Sequence, residues 1–138
     1  MPAIEATDWM AIKARIDTLV TDPPMQVFEP GAIIERPMVP HILLSDVTND
    51  PTRVGINTDL PHIRSGTLLL AVQWPIADDV THTQLKQIAG QIADHFRADT
   101  CMTFGPSRLR VTSDASALPA YVDGAYRVAV VRVPWSSV

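Results

Sequence analysis

The chain has 138 residues, 46% of them hydrophobic and 19% charged, which is enough apolar mass for one domain with its own core, expected to span 1–138. A formal net charge of -4 and the lack of any Lys/Arg run exclude a general nucleic-acid binder, because phosphate binding needs clustered cations. The one cysteine, Cys101, excludes an internal disulfide and fits a reducing compartment.

The opening MPAIEATDWM has neither the basic nor the apolar region of a secretion signal. No apolar run approaches the roughly 20 residues of a membrane helix, so a soluble, non-secreted protein is expected. Twelve prolines, about 9% against a usual 5%, gather between Pro23 and Pro61 and make that half loop-rich.

In chain order, Ile4 to about Val20 reads as a helix: Trp9, Ile12, Ile16 and Leu19 recur at three- and four-residue steps, and Thr21-Asp22-Pro23-Pro24 ends it. Met25–Phe28 is a short extended piece, and Val39–Val47 reads as a buried strand. Asn49-Asp50-Pro51 is a turn signal, and Thr48–His62 has no periodicity, which marks a long Pro-rich arm. Thr67–Trp74 is a central strand with cover on both faces.

The helix THTQLKQIAGQIADHF follows. Thr81 and Gln84 form a capping-box pair, Val80 and Leu85 a staple, and Leu85, Ile88, Ala89, Ile92, Ala93 and Phe96 one apolar stripe for the sheet. Cys101–Phe104 and Arg108–Ser113 make a hairpin about Gly105-Pro106. Asp123-Gly124 is a further turn, and Tyr126–Trp135 is a long final strand. The sum is an α+β domain: a mainly antiparallel sheet of about four to six strands, an N-terminal helix, a second amphipathic helix packed on the sheet, and the arm.

Residues able to carry chemistry are scattered. His95, Asp94, Asp99 and Cys101 are close in sequence, as an activated thiolate would need, but Cys101 reads as a near-core residue and His95 with Asp94 as a solvated helix end. His82 with Asp78 and Asp79 has metal-ligand chemistry, yet the two carboxylates are already explained by the helix N-terminus they precede. His41 and His62 lack spaced partners. There is no Gly-rich phosphate loop, nucleophile elbow, Cys-x-x-Cys or His-x-x-x-His. No catalytic, metal or cofactor residue is therefore expected, and a small hydrolase or metal enzyme using His82 or Cys101 is the weaker alternative. Arg108, Arg110, Arg127 and Arg132 are the notable polar set. They are read either as a subunit contact or as a solvated strand face blunted by charge.

Arg64-Ser65-Gly66 leading into an apolar strand that ends at Pro75, Ala89-Gly90-Gln91-Ile92-Ala93-Asp94-His95-Phe96 as A-x-x-I-A-x-x-F, and Asp123-Gly124-Ala125-Tyr126 entering the last strand occur in a distinctive order. This arrangement resembles the tail terminator (tail-completion) proteins of long-tailed bacteriophages. Ile76-Ala77-Asp78-Asp79 departs from the Gly-rich link usual there. The resemblance implies a non-enzymatic virion protein of the tail and neck, assembled in the host cytoplasm. It implies a ring, a hexamer, that caps the tail tube, stops its growth and meets the head connector, with DNA passing through unread. A head-completion or stopper protein of the neck is the alternative. A head-to-tail ring needs two different patches per subunit. The residues expected to supply them are Asn49, Asp50, Arg53, Asn57 and Asp59 of the arm, Arg64 at the strand entry that follows it, and Arg108, Arg110, Arg127 and Arg132 of the strands.

Overall fold

Two long strands, apolar along the middle of one face, organise the computed structural model, which describes residues 3–22, 24–30, 39–45, 47–53, 62–77 and 80–138. They are β4, His62–Pro75, and β9, Tyr126–Ser137, paired antiparallel through eleven partners from Ser65↔Ser136 to Pro75↔Tyr126. Short strands line both flanks. On the β4 side run β1 (Gln26–Phe28), β2 (His41–Leu44) and β3 (Asp50–Arg53); on the β9 side run β5 (Cys101–Phe104), β6 (Ser107–Val111), β7 (Ser116–Ala117) and β8 (Tyr121–Asp123). The sheet order is β1-β2-β4-β9-β6-β5, with β3 also on β4 and β7 and β8 also on β9.

The α+β class holds, and the sheet differs in detail from expectation. It has nine strands among the described residues, more than four to six, and is mixed, because β1 runs parallel to β2. The excess comes from bulges. Leu44 pairs with Leu70 and Asp50 with Ser65, so six steps on one side match five on the other, and β2 and β3 are one flank broken by an extra residue. β6, β7 and β8 likewise follow a single edge of β9 with slips between them. Pro134 sits beside one such break. Its carbonyl accepts from Thr112, so its nitrogen faces the gap between β6 and β7, where no donor is missed.

The Asn49-Asp50-Pro51 turn is corrected: Asp50 and Pro51 are extended and pair with Ser65 and Arg64. The arm over Thr48–His62 is thus half strand. Its polar residues find their partners across β4, which a search for periodicity in one strand cannot see. Residues 54–61, with Asn57 and Asp59, lie outside the described residues.

Cross-strand partners share a face. Leu68, Leu70 and Val72 therefore lie with Val133, Val131 and Ala129, all buried, beneath the helices α1 (Ile4–Asp17) and α2 (His82–His95). In α2 the capping box is complete: Gln84 N donates to Thr81 Oγ1 at 3.1 Å and Thr81 N to Gln84 Oε1 at 3.0 Å. Leu85, Ile88, Ala89 and Ile92 are its buried stripe. A weaker stripe, Ala11, Ile12 and Ile16, packs α1 over β5 and β6, and polar bonds complete its attachment.

Asp8, 1% exposed, is the centre of those bonds. Arg64 donates to it twice, Nε to Oδ2 at 2.6 Å and Nη2 to Oδ1 at 3.1 Å. Ser107 Oγ donates at 2.6 Å and Asn49 Nδ2 at 3.0 Å. Thr7 Oγ1 lies 2.7 Å from Ser107 Oγ. One carboxylate thus ties α1 to the approach to β3, to β4 and to the start of β6. Burial raises its pKa, but the bonds from Arg64, Ser107 and Asn49 and the guanidinium charge outweigh that and hold it below the ordinary value. Nearby, Gly66 is required by close approach, since a Cβ there would collide with the Thr48 carbonyl at the bulge.

Asp8→Asn strands the Arg64 guanidinium and should cost about 3 kcal/mol in urea unfolding. Gly66→Ala should cost about 2 kcal/mol or more through the displaced bulge. Because the folded-state pKa of Asp8 is depressed, its contribution is complete above about pH 4 and declines as pH falls through the lowered folded value. The acid limb of wild-type stability should be steeper than that of Asp8→Asn.

Candidate functional site

The register sorts the expected interface arginines onto two faces. Arg110 pairs with Ser136, and Arg108 and Arg132 lie at even steps from that pair on β6 and β9, so the three share the sheet face opposite the helices, and all are exposed. Arg127 is on the helix face, where Nη1 donates to the Val80 carbonyl at 3.1 Å ahead of α2. Asp50, opposite Ser65, joins the face of Arg108, Arg110 and Arg132. Arg110 also lies 3.8 Å from Asp99, an exposed pair of small energetic weight. Arg53 pairs through its backbone with His62.

Two other expected interface residues turn inward. Arg64 and Asn49 both meet Asp8, a residue that sequence reasoning missed because it stands in a helix with the charged residues assigned to solvent. Its signal was a carboxylate one residue before Trp9, within the apolar period of α1.

Cys101 and His95, close in sequence, bond to other groups. Cys101 is exposed, a correction to its near-core reading, because it alternates with the buried Met102; its Sγ faces the Asp99 carbonyl at 3.8 Å. His95 is also corrected: it is half-buried against the end of α1. Its Nε2 lies 2.9 Å from the Arg15 carbonyl and 2.9 Å from Thr18 Oγ1, while Arg15 Nη2 donates back to the His95 carbonyl at 2.7 Å. The two helix ends clamp each other, and Arg15 serves an unpaired carbonyl of the last turn of α2. His82 lies in the first turn of α2, and Asp78 and Asp79 lie outside the described residues. Among the described residues no three His, Cys, Asp or Glu side chains converge on a metal-sized site.

His41 is buried, and its ring is held by the Val39 carbonyl at 2.9 Å, Gln73 Oε1 at 3.0 Å and edge contacts to Phe28 and Tyr126. Such full engagement makes it a joint between β1, β2 and β9. Surface grooves lie beside Tyr121 and Arg127 at the start of α2, beside Trp74 on the flank of α2, and between Phe104, Arg108 and Val138. Phe104, Leu118, Tyr121, Val122 and Val138 are exposed apolar residues; Leu118, Tyr121 and Val138 fall on the arginine face by register, whereas Phe104, opposite Ser107, and Val122, opposite Arg127, fall on the helix face. These are means of docking rather than of bond chemistry.

Burial lowers the pKa of His95 and the Arg15 charge lowers it further, against the bond to the Arg15 carbonyl. The clamp's contribution is thus complete above about pH 6.5, the unfolded value, and is lost as pH falls through the depressed folded one. His95→Gln should flatten the fall in melting temperature between pH 6.5 and 5 seen by circular dichroism in the wild type.

A family model described as phage tail terminator protein matches residues 9–135. A search of curated proteins found no match. Among solved structures, one chain superposes with a TM-score of 0.72 over 94% of this chain and 95% of its own at 16% identity, a likeness of fold alone. The family match takes in both long strands, α2 and most of α1, and with it the chain belongs to the phage tail terminator protein family.

Proposed function

We propose that the protein assembles as a closed ring, a hexamer, that caps the finished tail tube, stops its polymerisation and presents a surface to the head-side connector, with DNA passing through the ring unread. The family match over 9–135 carries this reading, since the family is structural rather than catalytic and its proteins are components of the virion. No helix among the described residues is long and apolar enough to cross a membrane.

The physical demands of the task agree with the surfaces. A cyclic ring is built from heterologous contacts, so each subunit needs two unlike patches. The face of Arg108, Arg110 and Arg132, with the exposed Val138 opposite Arg108, is one. The two-stranded ribbon of β3 and the start of β4, which runs past the last residue of β9 paired to β4, supports the other at Asp50 and Arg53, and Asn57 and Asp59 are proposed for the same patch. Arg64 and Asn49 serve this role indirectly by holding the base of the ribbon to Asp8.

Sedimentation velocity at micromolar concentration, alone and with purified tail-tube protein, should show a ring-sized species. A monomer under both conditions would contradict the reading, and co-sedimentation with connector protein alone would favour a neck stopper. The double variant Arg108→Glu/Arg110→Glu should keep its stability within about 0.5 kcal/mol, as exposed substitutions do. Its assembly should need at least about tenfold more protein, a 1.4 kcal/mol effect.

A further inference from the structure

The sheet order ends in β5 on one side and β1 on the other, and both differ from the remaining free edges. A strand edge is commonly blunted by charge, proline or a bulge. β3 carries Asp50, Pro51 and Arg53, β8 closely follows Pro119 and ends in Asp123, and β7 is two residues long. β5, Cys-Met-Thr-Phe, has no charge, proline or bulge, and Phe104 at its end is 42% exposed. Its main chain also has bonds to give. Gly105, at a φ of 54°, and Pro106 make a two-residue turn closed by the hydrogen-bonded pair Phe104↔Ser107, so within β5 it is Phe104 and Met102 that bond to β6. Arg108, opposite Thr103, turns its carbonyl away to accept from Val138 N, in keeping with that phase. The N–H and C=O groups of Cys101 and Thr103 therefore point off the sheet, with no partner among the described residues, and both residues are exposed.

β1, Gln26–Phe28, is likewise free of charge and proline, exposes Gln26, and pairs only with β2 among the described residues. From β1 to β5 the path runs parallel once, into β2, and reverses four times, at β2–β4, β4–β9, β9–β6 and β6–β5, so the two end strands point the same way. Rotation about a ring axis preserves strand direction along that axis, so neighbouring copies bring these edges together in parallel. We infer that β5 of each copy pairs edge to edge with β1 of the next, carrying the sheet across the subunit boundary. Main-chain bonds supply the affinity, as in strand addition, and a groove of about 570 Å³ beside Cys101, Thr103, Phe104, Arg108 and Val138 receives side chains of the incoming strand. The pairing rests on the ring reading and joins its two patches, since β5 borders the arginines of β6 and β1 borders the flank of β2 and β3. Its two edges are unlike, so the contact runs head to tail.

Cysteine cross-linking in the full chain tests it. Cys101, the one cysteine, is exposed opposite Arg110, and Gln26, opposite His41, is exposed on the same sheet face. In Gln26→Cys a short bismaleimide should give a ladder of covalent multimers up to the ring, each step joining Cys101 of one copy to residue 26 of the next. Wild type and Gln26→Cys/Cys101→Ser, with one cysteine each, should give no ladder. Thr103→Pro removes an outward N–H on an edge that tolerates proline. It should keep the wild-type circular dichroism and need at least about tenfold more protein to assemble. Rings of Thr103→Pro that form as wild type does, or rings of Gln26→Cys that give no ladder, would overturn the edge pairing while the ring reading stands. Cross-linked wild-type dimers, the mark of β5 meeting β5, would overturn it too. A ladder in a protein that grows into open filaments would uphold the pairing and end the closed ring. A protein that stays monomeric with and without tube protein and gives no ladder would end both. Should Thr103→Pro fail to fold, the cross-linking decides alone.

Discussion

A buried carboxylate must be answered by donors wherever the chain can supply them, and in this protein the supply comes from three separate stretches. Asp8 takes two bonds from Arg64, one from Ser107 and one from Asn49. Replacing such a cluster with apolar side chains is often harmless to stability, whereas removing one partner is costly, so its value lies in specifying position. Here it fixes how α1 lies over β5 and β6 and where β3 leaves the bulge at Gly66. The His95–Arg15 clamp does the same at the other end of α1. A helix with a thin apolar stripe is thereby held at both ends by bonds that work in one arrangement only.

The sheet shows a related economy of means. Two uninterrupted strands carry the register; β2, β3, β6, β7 and β8 are short segments beside one of them, and β1 and β5 extend the sheet from β2 and β6. Bulges let the flanks slip by a residue or two and bend, which suits a curled sheet whose one face is sealed by helices and whose other buries His41, Tyr126 and Val128 at one end and carries the exposed arginines at the other. The separation of Arg127 from Arg108, Arg110 and Arg132 follows from register alone. It leaves α2 a cation at its entrance and the outer face its charge.

Much of this was legible from residue order because it is local. The capping box Thr81–Gln84, the stripe Leu85–Ile92, the hairpin about Gly105-Pro106 and the Asp123-Gly124 turn are written in neighbouring positions. The resemblance to tail terminators rested on two of these pieces, the stripe of α2 and the Asp123-Gly124 turn, together with the Arg64-Ser65-Gly66 entry to the strand ending at Pro75. What stayed hidden is non-local. Asp8 drew no notice because its partners Arg64 and Ser107 are 56 and 99 positions away. Asp50-Pro51 looked like a turn because the strand that pairs with it comes later. Cys101 was misplaced by one step of alternation. Asn49 and Arg64, expected at an interface, bond inward to Asp8 instead.

The account makes function depend on surfaces held in place by one internal polar centre. Hydrogen exchange followed by mass spectrometry on wild type and Asp8→Asn tests that most directly. Protection should fall together in residues 4–17, 50–53, 62–65 and 107–111, while α2 and the middle of the β4–β9 pair stay as in wild type. Loss confined to α1, or no change in the ribbon and β6, would contradict the claim that Asp8 unites them.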